Sequence, residues 1–228
     1  MEPEVNNAIV NAGCLLFLTG HSVTPGINDV LDSLLYVQLA ATKKHDKFSE
    51  FERWKETWLA AALRFGWMLK GSEYVCQPVS RTGGETVWGA CARELKRRVG
   101  EATLSESECL LRQRLQHDAL GLLASQAVQP LAEGLMPPRT SMTLQLGFLD
   151  TSGTLALALL HLDSYQPVTS GFLFEPLEAG HMLGNLSVTV YSLQLQSLVY
   201  RQFRDAFDIA LKDRRPTLVK PLYPSVGE

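Results

Sequence analysis

The chain lacks most of the features by which a sequence announces its chemistry. Its four cysteines, Cys14, Cys76, Cys91 and Cys109, form no CxxC pair, so neither a zinc ribbon nor a thioredoxin-like centre is encoded. No apolar run approaches the ~20 residues that a membrane-spanning helix requires. Positive charge is not in excess, since 21 Lys and Arg face 24 Asp and Glu for a net charge of -3. That removes the basic field on which sequence-independent nucleic-acid binding depends, and argues against nucleic acid as a main partner. No internal repeat or low-complexity tract interrupts the chain. Met1-Glu2-Pro3-Glu4 is acidic where a secretory signal is basic, and the apolar run Cys14 to Leu18 is short for a signal core. The expectation is a cytoplasmic protein whose cysteines are reduced core residues. Export through a specialised secretion machine leaves no such signal and is compatible with the sequence.

What the chain does carry is apolar residues in two rhythms. Of its 228 residues 46% are hydrophobic and 20% charged, a composition able to bury roughly 70% of the unfolded surface. Apolar residues keep helical spacing as far as about Leu131, alternate from Met142 to about Leu195, and return to helical spacing up to Leu211. Strands grouped in this way mark an α+β fold, because strands interleaved singly with helices would give a parallel α/β sheet. The expected architecture is a single compact domain over 1–228. A helical layer over about 13–133 packs on a mainly antiparallel sheet, and the sheet with a C-terminal helix docked on it occupies about 140–216.

Local signals refine this outline. Cys14 to Leu18 reads as a short strand or buried turn, and Asn28 or Asp29 is placed to cap a helix with Val30, Leu34, Leu35, Gln38 and Ala41 on one face. Ser49 and Glu52 have capping-box spacing before a stripe of Phe51, Trp54, Trp58, Ala62 and Phe65. Trp67 to Val79 reads as a strand or extended return, and Trp88, Cys91, Leu95 and Val99 as a helix face. A second capping box at Ser105 predicts one long helix, with Cys109 buried at a staple position, ending at Pro130. Gly134 to Thr140 is the expected linker. Met142 to Phe148 alternates with polar residues, predicting a strand with one wet face. Leu155 to Leu160 is apolar on both faces and is expected at the centre of the sheet. A long connection over 164–184 precedes a third strand at Leu186 to Tyr191. The last helix, from about Ser197, is expected to turn Val199, Phe203, Ala206, Phe207 and Ala210 toward the sheet.

Candidate chemistry is sparse. Gly20-His21-Ser22-Val23-Thr24 follows a strand as a nucleophile elbow would, but it lacks the second glycine and runs into Pro25-Gly26, so a plain turn accounts for it. Cys109, His117 and Asp118 supply the residue types of a thiol triad. On one helix, eight residues separate the thiol from the imidazole by about 12 Å, which precludes direct hydrogen bonding. Thr82-Gly83-Gly84 could offer amides to an anion, although Glu85 opposes one. His161 and Asp163 share a face of the apolar strand, His181 lies by the long connection, and a histidine in such a strand must find a partner or face a cleft. These three are the weak catalytic candidates. No local HxH or HExxH spacing joins them to His21 or His45, so no metal and no cofactor is expected. Trp54, Trp58 and Trp88 are the candidates for walling an apolar pocket. The basic runs at Lys43-Lys44, Lys96-Arg97-Arg98 and Lys212 to Arg215 all fall at helix ends, where the dipole accounts for them, and a shared membrane-facing or acidic-partner patch would need them to converge in space.

Most polar residues are thus absorbed by caps, turns and solvated faces. The expected function is a non-enzymatic, soluble interaction protein, as a subunit, adaptor or effector-like factor with a protein partner or a second copy of itself. The alternative is a small hydrolase or apolar-ligand-binding protein with its site near His161, Asp163 and the 164–184 connection.

Overall fold

The structure, a computed structural model, describes residues 5–20, 26–78, 84–115, 117–131, 139–165, 169 and 171–222. Strands β1 (Val5–Asn11) and β2 (Cys14–Thr19) come first, then helices α1 (Ile27–Lys44) and α2 (Phe51–Arg64) and strand β3 (Trp67–Pro78). Helices α3 (Val87–Val99), α4 (Glu101–Arg112) and α5 (Asp118–Ala127) precede strands β4 (Val128–Leu131), β5 (Arg139–Leu149), β6 (Thr154–Ser164) and β7 (Met182–Leu195). The chain continues through α6 (Ser197–Tyr200), α7 (Arg204–Leu211) and α8 (Arg215–Leu218) to β8 (Val219–Pro221). The fold is α+β. Its strands form one mostly antiparallel sheet in the order β3-β7-β6-β5-β2-β1-β8, with β4 pairing on β5 beyond the end of β2.

The alternation of β6 explains the layering. Leu155, Leu157 and Leu159 point to one face and join Val30, Leu34, Trp54 and Trp58 of α1 and α2. Ala156, Ala158 and Leu160 point to the other and join Trp88, Leu95, Leu111 and Leu123 of α3, α4 and α5. A strand apolar on both sides is stable only between two covering layers, so the helices divide between the faces instead of forming the expected single layer. The same cover removes the wet face expected of β5, where Thr143 and Gln145 are as buried as Leu144 and Leu146. The position expected for β6 agrees with the sheet order, which sets it between β5 and β7.

Three other expectations are corrected. The long helix from Ser105 is two helices, because α4 ends at Arg112 and His117 caps a new start at α5, its Nδ1 accepting from the Ala119 amide at 3.2 Å. Cys109 is consequently exposed, as is Cys76, and all four thiols are free. The C-terminal helix docks on α1, where Phe207 stacks on Tyr36 at 4.0 Å between ring centroids. Two arginine forks tie it down. Arg204 engages both carboxylate oxygens of Asp29, and Arg215 reaches those of Asp32 at 2.6 and 2.7 Å. Asp29 and Asp32 of α1 therefore tether the end of the chain. Gln38 of α1 in turn clamps the tight β1–β2 turn, accepting from the Gly13 amide at 3.2 Å and donating to the Asn11 carbonyl at 3.0 Å. The Gly134 to Thr140 linker falls largely outside the described residues.

Gly147 leaves room for leucine side chains of the neighbouring strands β2 and β6. A Cβ there would stand 3.0 Å from Leu16 Cδ1 and 3.1 Å from Leu155 Cδ1. Gly147→Val should destabilise the protein by about 1–3 kcal/mol through overpacking, read as a lower urea midpoint at unchanged slope.

Candidate functional site

The strand half brings a polar rung onto the α2 side of the sheet. Antiparallel register aligns Thr143 of β5, His161 of β6, Ser187 of β7 and Cys76 of β3. His161 is sandwiched there, its ring stacked on Phe51 at 4.1 Å and 6° and its Nδ1 2.9 Å from the Thr143 hydroxyl. Thr143 gives its own proton to the Lys47 carbonyl at 2.9 Å, so toward the imidazole it can only accept. That bond assigns the Nδ1 proton to the histidine. Burial lowers the His161 pKa below its ordinary value, against the opposing charges of Asp163 and Glu52 and a hydrogen bond to the Met142 backbone, with Lys55 adding to the lowering. The ring is held neutral near pH 7.

Asp163 lies two residues further along β6, and its Oδ2 accepts from Arg139 Nη2 at 2.5 Å. Both residues line an open cleft of about 680 Å³ together with His161, Phe48 and Phe51. The other charges in this cleft are largely paired with neighbours, Glu50 with Arg53 at 3.0 Å and Glu52 with Lys55 at 2.6 Å. A base needs a group whose proton it can take. The hydroxyl bonded to the His161 ring has already donated elsewhere, and Ser187 donates to the His161 backbone carbonyl at 3.4 Å.

The remaining candidates are dispersed. His181 pairs with Glu178 at 2.9 Å in the connection before β7, and His45 sits 3.7 Å from Glu50. His117 and Cys109 lie on different helices. Trp54 and Trp58 are buried on the α2 side and Trp88 on the α3 side, so the sheet separates them. Phe172 and Leu173 of the long connection are buried against the α3 side. His21, the rest of the elbow through Thr24, Thr82 and Gly83 lie outside the described residues. Among the described residues no group of three His, Cys, Asp or Glu could hold a metal ion, and no helix is long and apolar enough to cross a membrane.

A different surface gathers unpaired charge. Two adjoining cavities of about 480 and 280 Å³ run along the outer face of α1, one toward α7 and the other toward α2, and share Tyr36, Ala40 and Lys44. Tyr36 to Lys44 spans about two helical turns, or 12 Å. The floor is Tyr36 and Leu39 with Ala40, Ala61 and Ala210, and the rim carries Lys43, Lys44, Arg64 and Arg214. None of these cations has an ion-pair partner among the described residues, and no carboxylate lines either cavity. In sequence they read as separate helix-end charges. Docking α7 beside α1 draws Lys43, Lys44 and Arg214 onto one groove, a convergence that only tertiary structure reveals.

No protein-family model and no curated protein matches the chain. Among solved structures, similarity is found to a delta-endotoxin at 10% identity and a TM-score of 0.42, over 81% of this chain and 81% of that one. It is also found to the Evf virulence factor at 10% identity and a TM-score of 0.36, over 93% of this chain and 85% of that one.

Two pH responses follow from this region. His161 stays neutral in the fold while its unfolded form gains a proton below about pH 6.5, so the unfolded state binds more protons there and stability falls as pH drops through that window. His161→Gln should flatten the loss, read from urea midpoints at pH 5 and pH 7. Lys47 lies beneath this region, donating to the Gln126 carbonyl, and burial brings its pKa down from 10.5 to about 8 despite Asp46. Between about pH 8 and 10.5 the unfolded lysine is protonated and the folded one is not, so this group makes stability rise with pH. The buried thiols Cys14 and Cys91, pushed up to about 12 by burial, act oppositely above pH 9. The difference in unfolding free energy between wild type and Lys47→Met should therefore grow across pH 8 to 10.5, by on the order of 3 kcal/mol.

Proposed function

We propose that this protein is a non-enzymatic interaction protein that docks an acidic, amphipathic helical segment of a protein partner in the groove along α1. The carrying observation is the charge imbalance: four cations without an ion-pair partner among the described residues rim an apolar floor on a chain whose net charge is -3. The His161 cleft offers no comparable demand for a partner, because its charges are mostly neutralised within the protein.

The shape of the groove supports a helix as its occupant. Ala40, Ala61 and Ala210 are small enough to admit a close-packed helix, while Tyr36 and Leu39 supply apolar area. A flat anionic bilayer would meet the rim cations and leave the recessed floor uncovered. Nucleic acid would need a broader basic track than one groove two turns long. Carboxylates spaced along one side of the incoming helix would meet Lys43 and Lys44 on α1 and Arg214 beyond α7, with its apolar side on the floor.

Titration with a synthetic 18-residue amphipathic peptide, glutamates on one face and leucines on the other, tests this reading. Binding should saturate, perturb the amide resonances of α1 and α7, and weaken about tenfold or more in Lys43→Glu/Lys44→Glu and at high salt. Equal affinity for a lysine-substituted peptide, or an unchanged affinity in the double variant, would overturn it.

A further inference from the structure

Strand β3 closes one end of the sheet and, among the described residues, pairs with β7 alone. It is 12 residues long, whereas β8 at the other end of the sheet order has three and finishes at Pro221. An open strand edge presents N–H and C=O groups that can template a further strand, and proteins protect such edges with lysine, proline or a bulge. In β3 these devices stand only at the borders of one stretch. Lys70 is bulged out of register with β7 between Leu69 and Gly71, and Pro78 ends the strand. Between them, Gly71 to Gln77 keeps regular register with β7 and carries a single charge, Glu73, which Arg98 meets at 3.1 Å.

The centre of this stretch is Tyr74, which is 56% exposed. It pairs with Thr189 of β7, which in turn lies opposite Leu159 on the α2 side of the sheet. Lys55 of α2 stands 4.9 Å from its ring centroid while bonded to Glu52 at 2.6 Å, so the cation beside the ring is already neutralised. Cys76, two residues further along the strand, is exposed as well.

We propose that β3 is a dimerisation edge, on which a second copy of this chain pairs antiparallel through Gly71 to Gln77 about a two-fold axis at Tyr74. The sequence of the stretch is complementary to itself in that register. Tyr74 meets its counterpart, Glu73 faces Val75, Ser72 faces Cys76 and Gly71 faces Gln77, so no like charges are opposed. The neighbouring registers are worse. An axis at Glu73 would set two carboxylates face to face, and an axis at Val75 would draw Pro78 into the ladder opposite Ser72. With the axis at Tyr74, Lys70 of one copy and Pro78 of the other meet just beyond the paired stretch and end it. The contact uses the same surface on both copies and therefore closes at two. No residue lining the α1 groove belongs to β3, so this proposal is independent of the docking function.

Sedimentation velocity of the full chain should show the monomer giving way to a species of twice its mass as concentration rises through the micromolar range. Tyr74→Lys places two ammonium groups opposite each other at the axis and should raise the dissociation constant about tenfold or more. In dilute solution its urea midpoint should match wild type, because the replaced side chain is largely exposed. A chemical readout fixes the register. Opposed residues on antiparallel strands lie about 4.5–5.5 Å apart at Cα, within the span of a disulfide. Tyr74→Cys in a Cys76→Ser/Cys109→Ser background, which leaves only the buried thiols Cys14 and Cys91, should form a covalent dimer under mild oxidation, and Glu73→Cys in that background should not. A chain that stays monomeric up to millimolar concentration, undiminished dimer in Tyr74→Lys, or linkage through position 73 as fast as through position 74 would each overturn the proposal.

Discussion

A strand without a polar side cannot rest against water on either face, and β6 is such a strand. Leu155, Leu157 and Leu159 need cover on one side and Leu160 and Leu162 on the other. Burial of each such side chain is worth about 1.5–3 kcal/mol, far more than any single ion pair at this protein's surface. The placement of every large helix follows: α1 and α2 take the leucine side, and α3, α4 and α5 take the side that alternates toward alanine. The difference between those two faces also sets where space is left. Leucines pack with the tryptophans of α2 on one face, whereas on the other Ala156 lines a hollow together with Arg98 and Val99 at the end of α3.

Much of this was legible in the sequence, and the exceptions have specific causes. The period of Leu155 to Leu160 identified a central strand, and the stripe of Trp54 and Trp58 identified a buried helix face. The alternation of Met142 to Phe148 suggested a wet face because Thr143 and Gln145 are polar, but a sheet covered twice buries its polar side too, and Thr143 is satisfied by Lys47 and His161. β1 went unread because its asparagines break the apolar rhythm, and its pairing with β8 joins segments at opposite ends of the chain. The apparent long helix after Ser105 kept its 3.6-residue spacing through the break between α4 and α5, where His117 caps the second helix. Periodicity reports which side is apolar and is blind to a change of axis.

The candidate sites divide along the same line. His161 and Asp163 stood out because polar residues in an apolar strand are conspicuous, and they do line one cleft. Their partners, Phe51, Thr143 and Arg139, come from distant segments and could not be named from spacing. His181 was attached to that region by sequence proximity, and Trp88 to Trp54 and Trp58 by residue type, and the fold sets each elsewhere. Conversely, Lys43, Lys44 and Arg214 looked like ordinary helix-end charges. What makes them a surface is the pair of arginine forks, Arg204 on Asp29 and Arg215 on Asp32, that lays α7 along α1.

The parallel pairing of β2 with β5 has a temporal side. The Thr19 hydroxyl donates to the Leu149 carbonyl across 130 residues of chain, and β2 has no neighbour on that side until β5 exists. During synthesis the first hairpin, α1 and the tryptophans of α2 would emerge well before the strands that bury them. Contacts this distant make a chain slow to reach its native topology and leave apolar surface exposed in the interval. The β2 edge of the sheet can close only once β5 is present, so the first hairpin cannot by itself template the rest of the sheet.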